Sequence, residues 1–298
     1  MHNARDMCNM RGATVCEAAY FDAQGLQSIR CQLCPRQCVL KPGETGACHS
    51  RMNRGGVGIS LNYGRISALA LDPIEKKPLA RFFPGSRILS VGSFGCNLKC
   101  PYCQNHSIAD AVPQTQAMNS AELVDRALAL KSQGNIGIAF TYNEPAVWYE
   151  YVLETARLAH EVRLKNVLVT NGFINQEPLE QLLPVIDAMN IDLKGDTQFY
   201  REVCKGSLAA VEQTIRRASC ACHVELTTLL VTGYNDNLEF VERTARWIAS
   251  VSADIPLHLS RFFPRYRMTE TEPTDRAFVL NAVDTARKHL RHVYAGNV

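Results

Sequence analysis

From residue 88 onward, short apolar runs alternate with segments whose apolar residues recur at helical spacing. The apolar runs predict β-strands at 88–92, 136–140, 166–170, 186–192, 223–230 and 255–260. The helical patterns between and after them predict helices near 120–133, 145–163, 176–184, 207–219, 237–250 and 274–290. Asn119 and Glu122 have the spacing of a capping box before the first helix, and Pro145 suits the first position of the second.

This alternation predicts an α/β fold with a parallel sheet and right-handed crossovers. Six β/α repeats are fewer than the eight of a complete barrel, so the count favours an open (β/α)6 partial barrel. A doubly wound open sheet is the alternative. We expect residues 86–298 to form this core domain. Residues 1–85 are expected to form a cysteine-rich N-terminal extension, whose segment 55–85 predicts strands or extended chain leading into the core.

Polar side chains stand at the ends of the predicted strands, where parallel β/α folds carry their functional sites. They are Asn143, Glu144, Asn171, Asp192, Lys194 and His258. Each also has an ordinary structural explanation: an Asn-Gly turn at 171–172, a solvated ion pair of Asp192 with Lys194, and a core histidine at 258. Their agreement across four strands favours one shared site on a single rim.

Three cysteines follow the first predicted strand in the run VGSFGCNLKCPYCQN. Cys96, Cys100 and Cys103 have the spacing C-x3-C-x2-C, with no fourth cysteine close behind. Iron–sulfur clusters normally take four thiolates, so three predict a [4Fe-4S] cluster with one iron left open. An open coordination position is typical of a metal that does chemistry. A structural zinc site completed by a distant Cys or His is the alternative.

A second group of cysteines lies upstream in the run CQLCPRQCVLKPGETGACHSR. Its members are Cys31, Cys34, Cys38 and Cys48, with His49 as an alternative ligand to Cys48. Four thiols in a short, turn-rich segment predict a closed auxiliary site that holds zinc, or a second iron–sulfur cluster that relays electrons. The remaining cysteines are expected to be small buried apolar residues, with a metal role for the last two as a weaker alternative: Cys8, Cys16, Cys204, Cys220 and Cys222.

Composition narrows the class of protein. The chain has 298 residues, 46% of them hydrophobic, which suffices for a sizeable core. Its N-terminus has no apolar signal core and no stretch of about 18 apolar residues occurs, so we expect a cytoplasmic protein without membrane spans. In a reducing compartment, clustered cysteines bind metal more often than they form disulfides. A net charge of +3 without a long basic run argues against nucleic-acid binding.

Several motifs together resemble the radical S-adenosylmethionine (SAM) enzymes of the AmmeMemoRadiSam system, over roughly Tyr20 to Val298. They are CxLCPxxC, YGRISALALDPIEKKPL, CNLKCPYCQN, FTYNEPAVWYEYV, LVTNGF, NIDLKGD, VELTTLLVTGYND and LHLSRFFPRYRM. Such enzymes are similar to pyruvate formate-lyase activating enzymes. The resemblance implies a radical SAM partial (β/α)6 TIM-type barrel. It also implies a [4Fe-4S] cluster and SAM as cofactors.

The resemblance also implies roles for individual residues. Cys96, Cys100 and Cys103 match the cluster ligands, and Tyr102 matches an aromatic residue near the adenine of SAM. The other matches concern the amino group, ribose and carboxylate of SAM and a histidine near it: Asn143, Glu144, Asn171, Asp192, Lys194 and His258.

The implied activity is reductive cleavage of SAM to a 5′-deoxyadenosyl radical that abstracts hydrogen from an unidentified substrate. The implied partners are a reductant such as flavodoxin or ferredoxin, and Memo-like and AMMECR-like proteins. A glycyl-radical-enzyme activase is the alternative function, and a non-enzymatic, zinc-stapled binding module is a remote one.

Overall fold

The computed structural model of the chain describes residues 16–298. Its strands are β1 (Cys16–Glu17), β2 (Phe21–Ala23), β3 (Ile29–Cys31), β4 (Val39–Leu40), β5 (Arg51–Arg54), β6 (Val57–Ser60), β7 (Arg65–Ile66), β8 (Ala68–Pro73), β9 (Arg87–Gly92), β10 (Gln116–Ala117), β11 (Asn135–Phe140), β12 (Lys165–Thr170), β13 (Ala188–Asp192), β14 (His223–Leu230), β15 (Leu257–Arg261) and β16 (Val293–Gly296). Its helices are α1 (His106–Ala109), α2 (Ser120–Ala129), α3 (Tyr149–Glu161), α4 (Gln176–Leu182), α5 (Thr197–Phe199), α6 (Leu208–Ser219), α7 (Leu238–Val251) and α8 (Arg276–Arg287). Short 3-10 turns lie at Ile74–Lys76, Lys131–Gln133, Pro145–Trp148 and Leu183–Val185, and a π-helical turn lies at Tyr200–Cys204.

An eight-stranded sheet organises the molecule, in the order β16-β15-β14-β13-β12-β11-β9-β8. Strands β9 and β11 to β16 are parallel to their neighbours, whereas β8 pairs antiparallel with β9. The six predicted strands and the helices between them are present with boundaries shifted by a few residues. The capping box of Asn119 and Glu122 is also present.

The edge strand β16 was not predicted, because its four residues are too few to show a period. Its pairing with β15, which sets Val293 beside Leu257, decides its conformation.

The two faces of the sheet pack against different partners. Ile138 and Phe140 of β11 belong to the large core that the surrounding helices share. Ala139, between them, belongs to a smaller core with Ile74, Leu79 and Phe82. Successive residues of a strand point to opposite faces. One face of the sheet therefore packs against the helices, and the segment 74–82 packs against the other.

A doubly wound sheet would have helices on both faces, so this arrangement confirms the partial barrel. The open end of the barrel lies at the carboxyl ends of the parallel strands.

The N-terminal segment forms small antiparallel sheets that dock on the barrel. Arg51 is buried and pairs with Glu150 of α3 at 2.9 Å. The backbone amide of Asn175 donates to the carbonyl of Leu33 at 3.0 Å. Strand β8 lies within the range expected for the extension yet joins the main sheet, and the division at residue 85 stays a prediction. Within residues 16–298, no helix is both long and apolar enough to span a bilayer.

Candidate active site

A cavity of about 680 Å³ opens at the carboxyl ends of the parallel strands. Its volume lies within the range of small-molecule sites, which is roughly 300–1,000 Å³. The strand-end and cysteine-loop residues singled out in the sequence all line it: Cys96, Cys100, Tyr102, Cys103, Asn143, Glu144, Asn171, Asp192, Lys194 and His258. The topology therefore gathers into one cavity residues that are up to 162 positions apart, from 96 to 258.

Asn143 and Asn171 hold the cysteine loop in place. Asn143 accepts from the backbone amide of Ser93 at 2.8 Å and donates to the carbonyls at 94 and 95 at 3.2 Å. Asn171 Nδ2 lies 3.5 Å from Cys96 Sγ and 2.9 Å from Asn97 Oδ1. Both asparagines are buried, so these bonds form with little competition from water.

Gly95 shows why the loop needs glycine beside its first cysteine. Its φ is +94°, and a Cβ there would lie 2.5 Å from the carbonyl oxygen of Cys48. Glycine accepts both the positive φ and the close backbone. The cysteine loop thus packs directly against the upstream cysteine segment.

Glu144 is a buried carboxylate that joins two strand ends. It accepts hydrogen bonds from the amide of Ala146 at 2.9 Å, the hydroxyl of Thr170 at 2.6 Å and the amide of Asn171 at 2.8 Å. Burial disfavours its charged form and raises its pKa to about 7, although these hydrogen bonds work in the opposite direction. Glu144 therefore braces the site as well as lining it.

We expect the titration of Glu144 to appear in the pH dependence of the free energy of unfolding. The pKa of Glu144 is raised from 4.5 to about 7 on folding, so between these values the folded chain binds more protons and stability falls as pH rises. The fall amounts to roughly 3 kcal/mol, at about 1.4 kcal/mol per pKa unit. Glu144→Gln removes this titration, so the stability of wild type relative to the variant should be higher near pH 5 than near pH 8. Anaerobic denaturant unfolding across this range measures it, and parallel pH profiles for both proteins would contradict the assignment.

Lys194 and Asp192 place a paired charge on the cavity wall. Lys194 Nζ lies 2.8 Å from Asp192 Oδ2, and the lysine side chain is 15% exposed. Burial disfavours the ammonium charge, but the carboxylate of Asp192 and the nearby thiols outweigh it and raise the pKa of Lys194. The hydroxyl of Tyr200 donates to the carbonyl of Asp192 and accepts from the amide of Lys194, both at 3.1 Å. The lysine is thus a cation with a fixed backbone in the cavity.

Tyr102 and Cys204 lie together under the cysteine loop. Tyr102 Oη is 3.4 Å from Cys204 Sγ, and both side chains are buried. The neighbouring Cys204 side chain lowers the pKa of the Cys100 thiol, against the effect of burial. Cys204 is therefore a neighbour of the site. The sequence pattern had left it among the cysteines without an assigned role. It is 101 residues from Cys103, and nothing local to it signals this role.

His258 is held by a carboxylate that the sequence pattern did not single out. His258 Nε2 lies 2.7 Å from Glu225 Oε2, and its ring stacks on Tyr294 with centroids 5.1 Å apart. The other oxygen of Glu225 lies 2.9 Å from His223 Nε2 and accepts from the amide of Arg81 at 2.7 Å. Burial raises the pKa of Glu225, but these partners outweigh it and hold the pKa low. The sequence signal that could have identified Glu225 is a glutamate within the otherwise largely apolar run of β14.

The rim beside the cysteine loop carries a polar cluster that was also missed. Lys99 Nζ lies 2.6 Å from Asp110 Oδ1 and 3.0 Å from His49 Nε2. The hydroxyl of Tyr266 donates to Asp110 Oδ2 at 2.8 Å, and its ring stacks on His106 at 4.4 Å. The ring of His49 thus contacts this rim cluster, and its alternative role as a ligand in place of Cys48 stays a prediction.

Some of the upstream cysteines lie close together. Cys31, Cys34 and Cys48 are buried. A Cβ on Gly46 would lie 3.8 Å from the sulfurs of both Cys38 and Cys48. In the part of the chain that the structure describes, no group of three or more His, Cys, Asp or Glu residues is arranged to hold a metal ion. The auxiliary metal site therefore stays a prediction.

The three cysteines of the loop are likewise not arranged around a single metal ion. In a four-iron cluster each thiolate binds its own iron, so three sulfurs surround the cluster instead of converging on one ion. Three thiols that line one cavity are chemically suited to that arrangement.

The other cysteines differ among themselves. Cys204 is buried as expected, whereas Cys222 is half-buried and Cys220 is exposed, contrary to the expectation of buried apolar residues. Cys16 is buried, as expected, and it is also disulfide-bonded. Cys8 lies outside the described residues.

Comparison with known proteins gives the family. The model of the radical SAM superfamily matches residues 90–248. "Uncharacterized protein MJ0808" of Methanocaldococcus jannaschii is 39% identical over 95% of this chain and 85% of its own length. "Putative glycyl-radical enzyme activating enzyme MJ1632" of the same organism is 23% identical over 67% of this chain and 77% of its own.

A solved structure agrees at the level of the fold. Streptococcus suis SuiB bound to S-adenosylmethionine superimposes with a TM-score of 0.55 and 13% identity, over 67% of this chain and 47% of that one. The family match begins in β9, includes the cysteine loop and extends through β14 into α7, which is more than half of the chain. The chain therefore belongs to the radical SAM superfamily.

Proposed function

We propose that this chain is a radical SAM enzyme in which Cys96, Cys100 and Cys103 hold a [4Fe-4S] cluster. One observation carries the proposal: these thiols share a single cavity with the Asp192–Lys194 pair and the strand-end polar groups. Superfamily membership implies the cluster and SAM. When bound, the cluster supplies the electron that cleaves SAM to methionine and a 5′-deoxyadenosyl radical, which abstracts hydrogen from a substrate.

The residues of the chain bind and orient the cofactors. Lys194 is the cation for the carboxylate of SAM, because it is fixed in the cavity and held charged by Asp192. Asn171 and Asn143 keep the cysteine loop rigid, so that the thiols keep their positions. Burial of these groups excludes water from the site and strengthens each polar contact.

Three further residues complete the SAM site in this proposal. His258 reaches it from β15 and is oriented by Glu225. Glu144 contacts the amino group of SAM with its remaining acceptor capacity, since a carboxylate has about four lone-pair sites and three are engaged. Tyr102 lies near the adenine, with its ring packed 6.0 Å from that of Phe199.

The upstream cysteines are proposed to hold an auxiliary metal, either zinc or a second iron–sulfur cluster. Cys31, Cys34, Cys38 and Cys48 supply the thiols. The packing of Gly95 against the carbonyl of Cys48 supports a role close to the main cluster. An iron–sulfur cluster there would act as an electron relay, and a zinc ion would fix the fold of the segment.

The substrate is proposed to belong to the AmmeMemoRadiSam system, with Memo-like and AMMECR-like proteins as partners and flavodoxin or ferredoxin as the reductant in the cytoplasm. The sequence motifs from Tyr20 to Val298 support this assignment. A glycyl-radical-enzyme activase is the second candidate. Its support is the similarity to MJ1632 of Methanocaldococcus jannaschii and to MJ1227, which is 31% identical over 38% of this chain and carries the same putative activase name.

Anaerobic metal and product analysis of the wild-type enzyme tests the proposal. We expect roughly four irons and four sulfides per chain, or about twice that with a second cluster, and 5′-deoxyadenosine after addition of dithionite and SAM. Zinc without iron or sulfide would instead identify a zinc-stapled binding module. A glycyl-radical signal in a candidate acceptor protein would separate the activase from the other substrate classes.

A further inference from the structure

Cys204 is a buried thiol that the proposed chemistry leaves unused. It is the last residue of the π-helical turn Tyr200–Cys204, and Lys205 follows it with a φ of +56°. Single π-helical turns are rare, and they are frequent at functional sites. The thiol is fully buried, so it has no contact with solvent and its partners are protein groups.

Two hydrogen bonds fix Cys204 beside the middle cysteine of the loop. The carbonyl of Cys204 accepts from the amide of Lys99 at 2.9 Å. Its sulfur lies 3.4 Å from the hydroxyl of Tyr102. Lys99 and Tyr102 bracket Cys100 in the sequence, so both the backbone and the side chain of Cys204 are tied to the turn that presents Cys100.

Residues at both ends of the π-helical turn make further contacts with neighbouring segments. A Cβ on Gly206 would lie 2.5 Å from a side-chain methyl carbon of Leu98. Arg36 donates to the carbonyl of Lys205 at 2.6 Å. At the other end of the turn, Tyr200 is bonded to the backbone of Asp192 and Lys194. The π-helical turn therefore links the charged pair on the cavity wall to the cysteine loop.

We propose that Cys204 is a positioning residue that donates a hydrogen bond from its thiol to the sulfur of Cys100 and so raises the reduction potential of the cluster. Hydrogen bonds to ligand sulfurs are among the factors that set iron–sulfur potentials. Reduction adds negative charge, and a donor at a ligand sulfur stabilises the reduced state more than the oxidised one. The inference rests on the proposed function, because it requires that Cys100 ligates iron.

Redox titration of the reconstituted enzyme, followed by electron paramagnetic resonance of the reduced cluster, tests the proposal. At a fixed potential, Cys204→Ala should lower the ratio of reduced to oxidised cluster about tenfold, which corresponds to about 59 mV for one electron. Cys204→Ser keeps a donor and should retain the wild-type potential or exceed it. Cys222→Ala removes a half-buried thiol just before β14, at the opposite end of the strands, and should change nothing.

Each outcome has a defined meaning. Equal potentials for wild type and Cys204→Ala would overturn the inference while leaving the proposed function intact. A drop in Cys204→Ser would also overturn it, and this variant decides the matter if the alanine protein does not fold. Absence of any cluster signal in the wild type would overturn both proposals together.

Discussion

Replacing Cys96, Cys100 and Cys103 together by alanine is expected to remove roughly four irons per chain and to abolish 5′-deoxyadenosine formation. The three thiols line the same cavity, and in this proposal nothing else in residues 16–298 substitutes for them. Without the cluster no electron reaches SAM, so product should fall to the level of a protein-free reaction. Iron and sulfide analysis, visible absorption spectra and product quantification under dithionite measure the effect.

A matched control removes thiols elsewhere. Cys220 and Cys222 lie just before β14, at the end of the barrel opposite the cavity, and Cys220→Ala/Cys222→Ala should retain iron and activity. The iron left in the triple variant also reports on the upstream cysteines, since a second cluster there would survive. Undiminished 5′-deoxyadenosine formation by the triple variant would show that these cysteines do not hold the active cluster.

Lys194→Met is expected to weaken SAM binding by roughly two orders of magnitude while leaving the cluster in place. A hydrogen bond to a charged group contributes about 1.5–3 kcal/mol, and the upper part of this range corresponds to about a hundredfold in affinity. The variant also leaves Asp192 without its partner at 2.8 Å, which adds repulsion toward the SAM carboxylate. Anaerobic calorimetry with SAM measures the affinity, and iron content confirms that the cluster is intact.

Lys165→Met provides the comparison for this variant. Lys165 also forms a lysine–aspartate pair, with Asp187 at 2.7 Å, but at the amino ends of the strands. It should bind SAM as the wild type does. An unchanged SAM affinity in Lys194→Met would contradict the assignment of Lys194 to the carboxylate.

The sequence pattern predicted the barrel strands well because each is a short apolar run between helical segments. It also predicted which residues line the cavity, since parallel strands present their carboxyl ends on one side of the sheet. It did not predict β16, a short edge strand that depends on pairing with β15. Nor did it predict how the segment 74–82 would cover the inner face of the sheet.

The roles of individual side chains depended more on tertiary contacts. Glu144 and Asn171 were expected to contact SAM, yet their strongest visible contacts are with the protein: the carboxylate braces β12, and the amide reaches Cys96. Glu225 reaches His258 across neighbouring strands, and Cys204 approaches Cys100 from a turn about a hundred residues away. Such partners are adjacent only after the sheet has formed.

By itself, the sequence determined the chemistry available to this protein: three loop thiols at C-x3-C-x2-C spacing, a set of polar strand ends, and the β/α alternation that brings them to one rim. These properties are local, because spacing and periodicity are written in consecutive residues. The tertiary structure alone decided which of those groups are braced by the protein, which cation is held charged by its neighbour, and which distant thiol lies beside the cysteine loop. Burial and hydrogen bonding depend on what the folded chain places nearby, and they set the charge and position of each group.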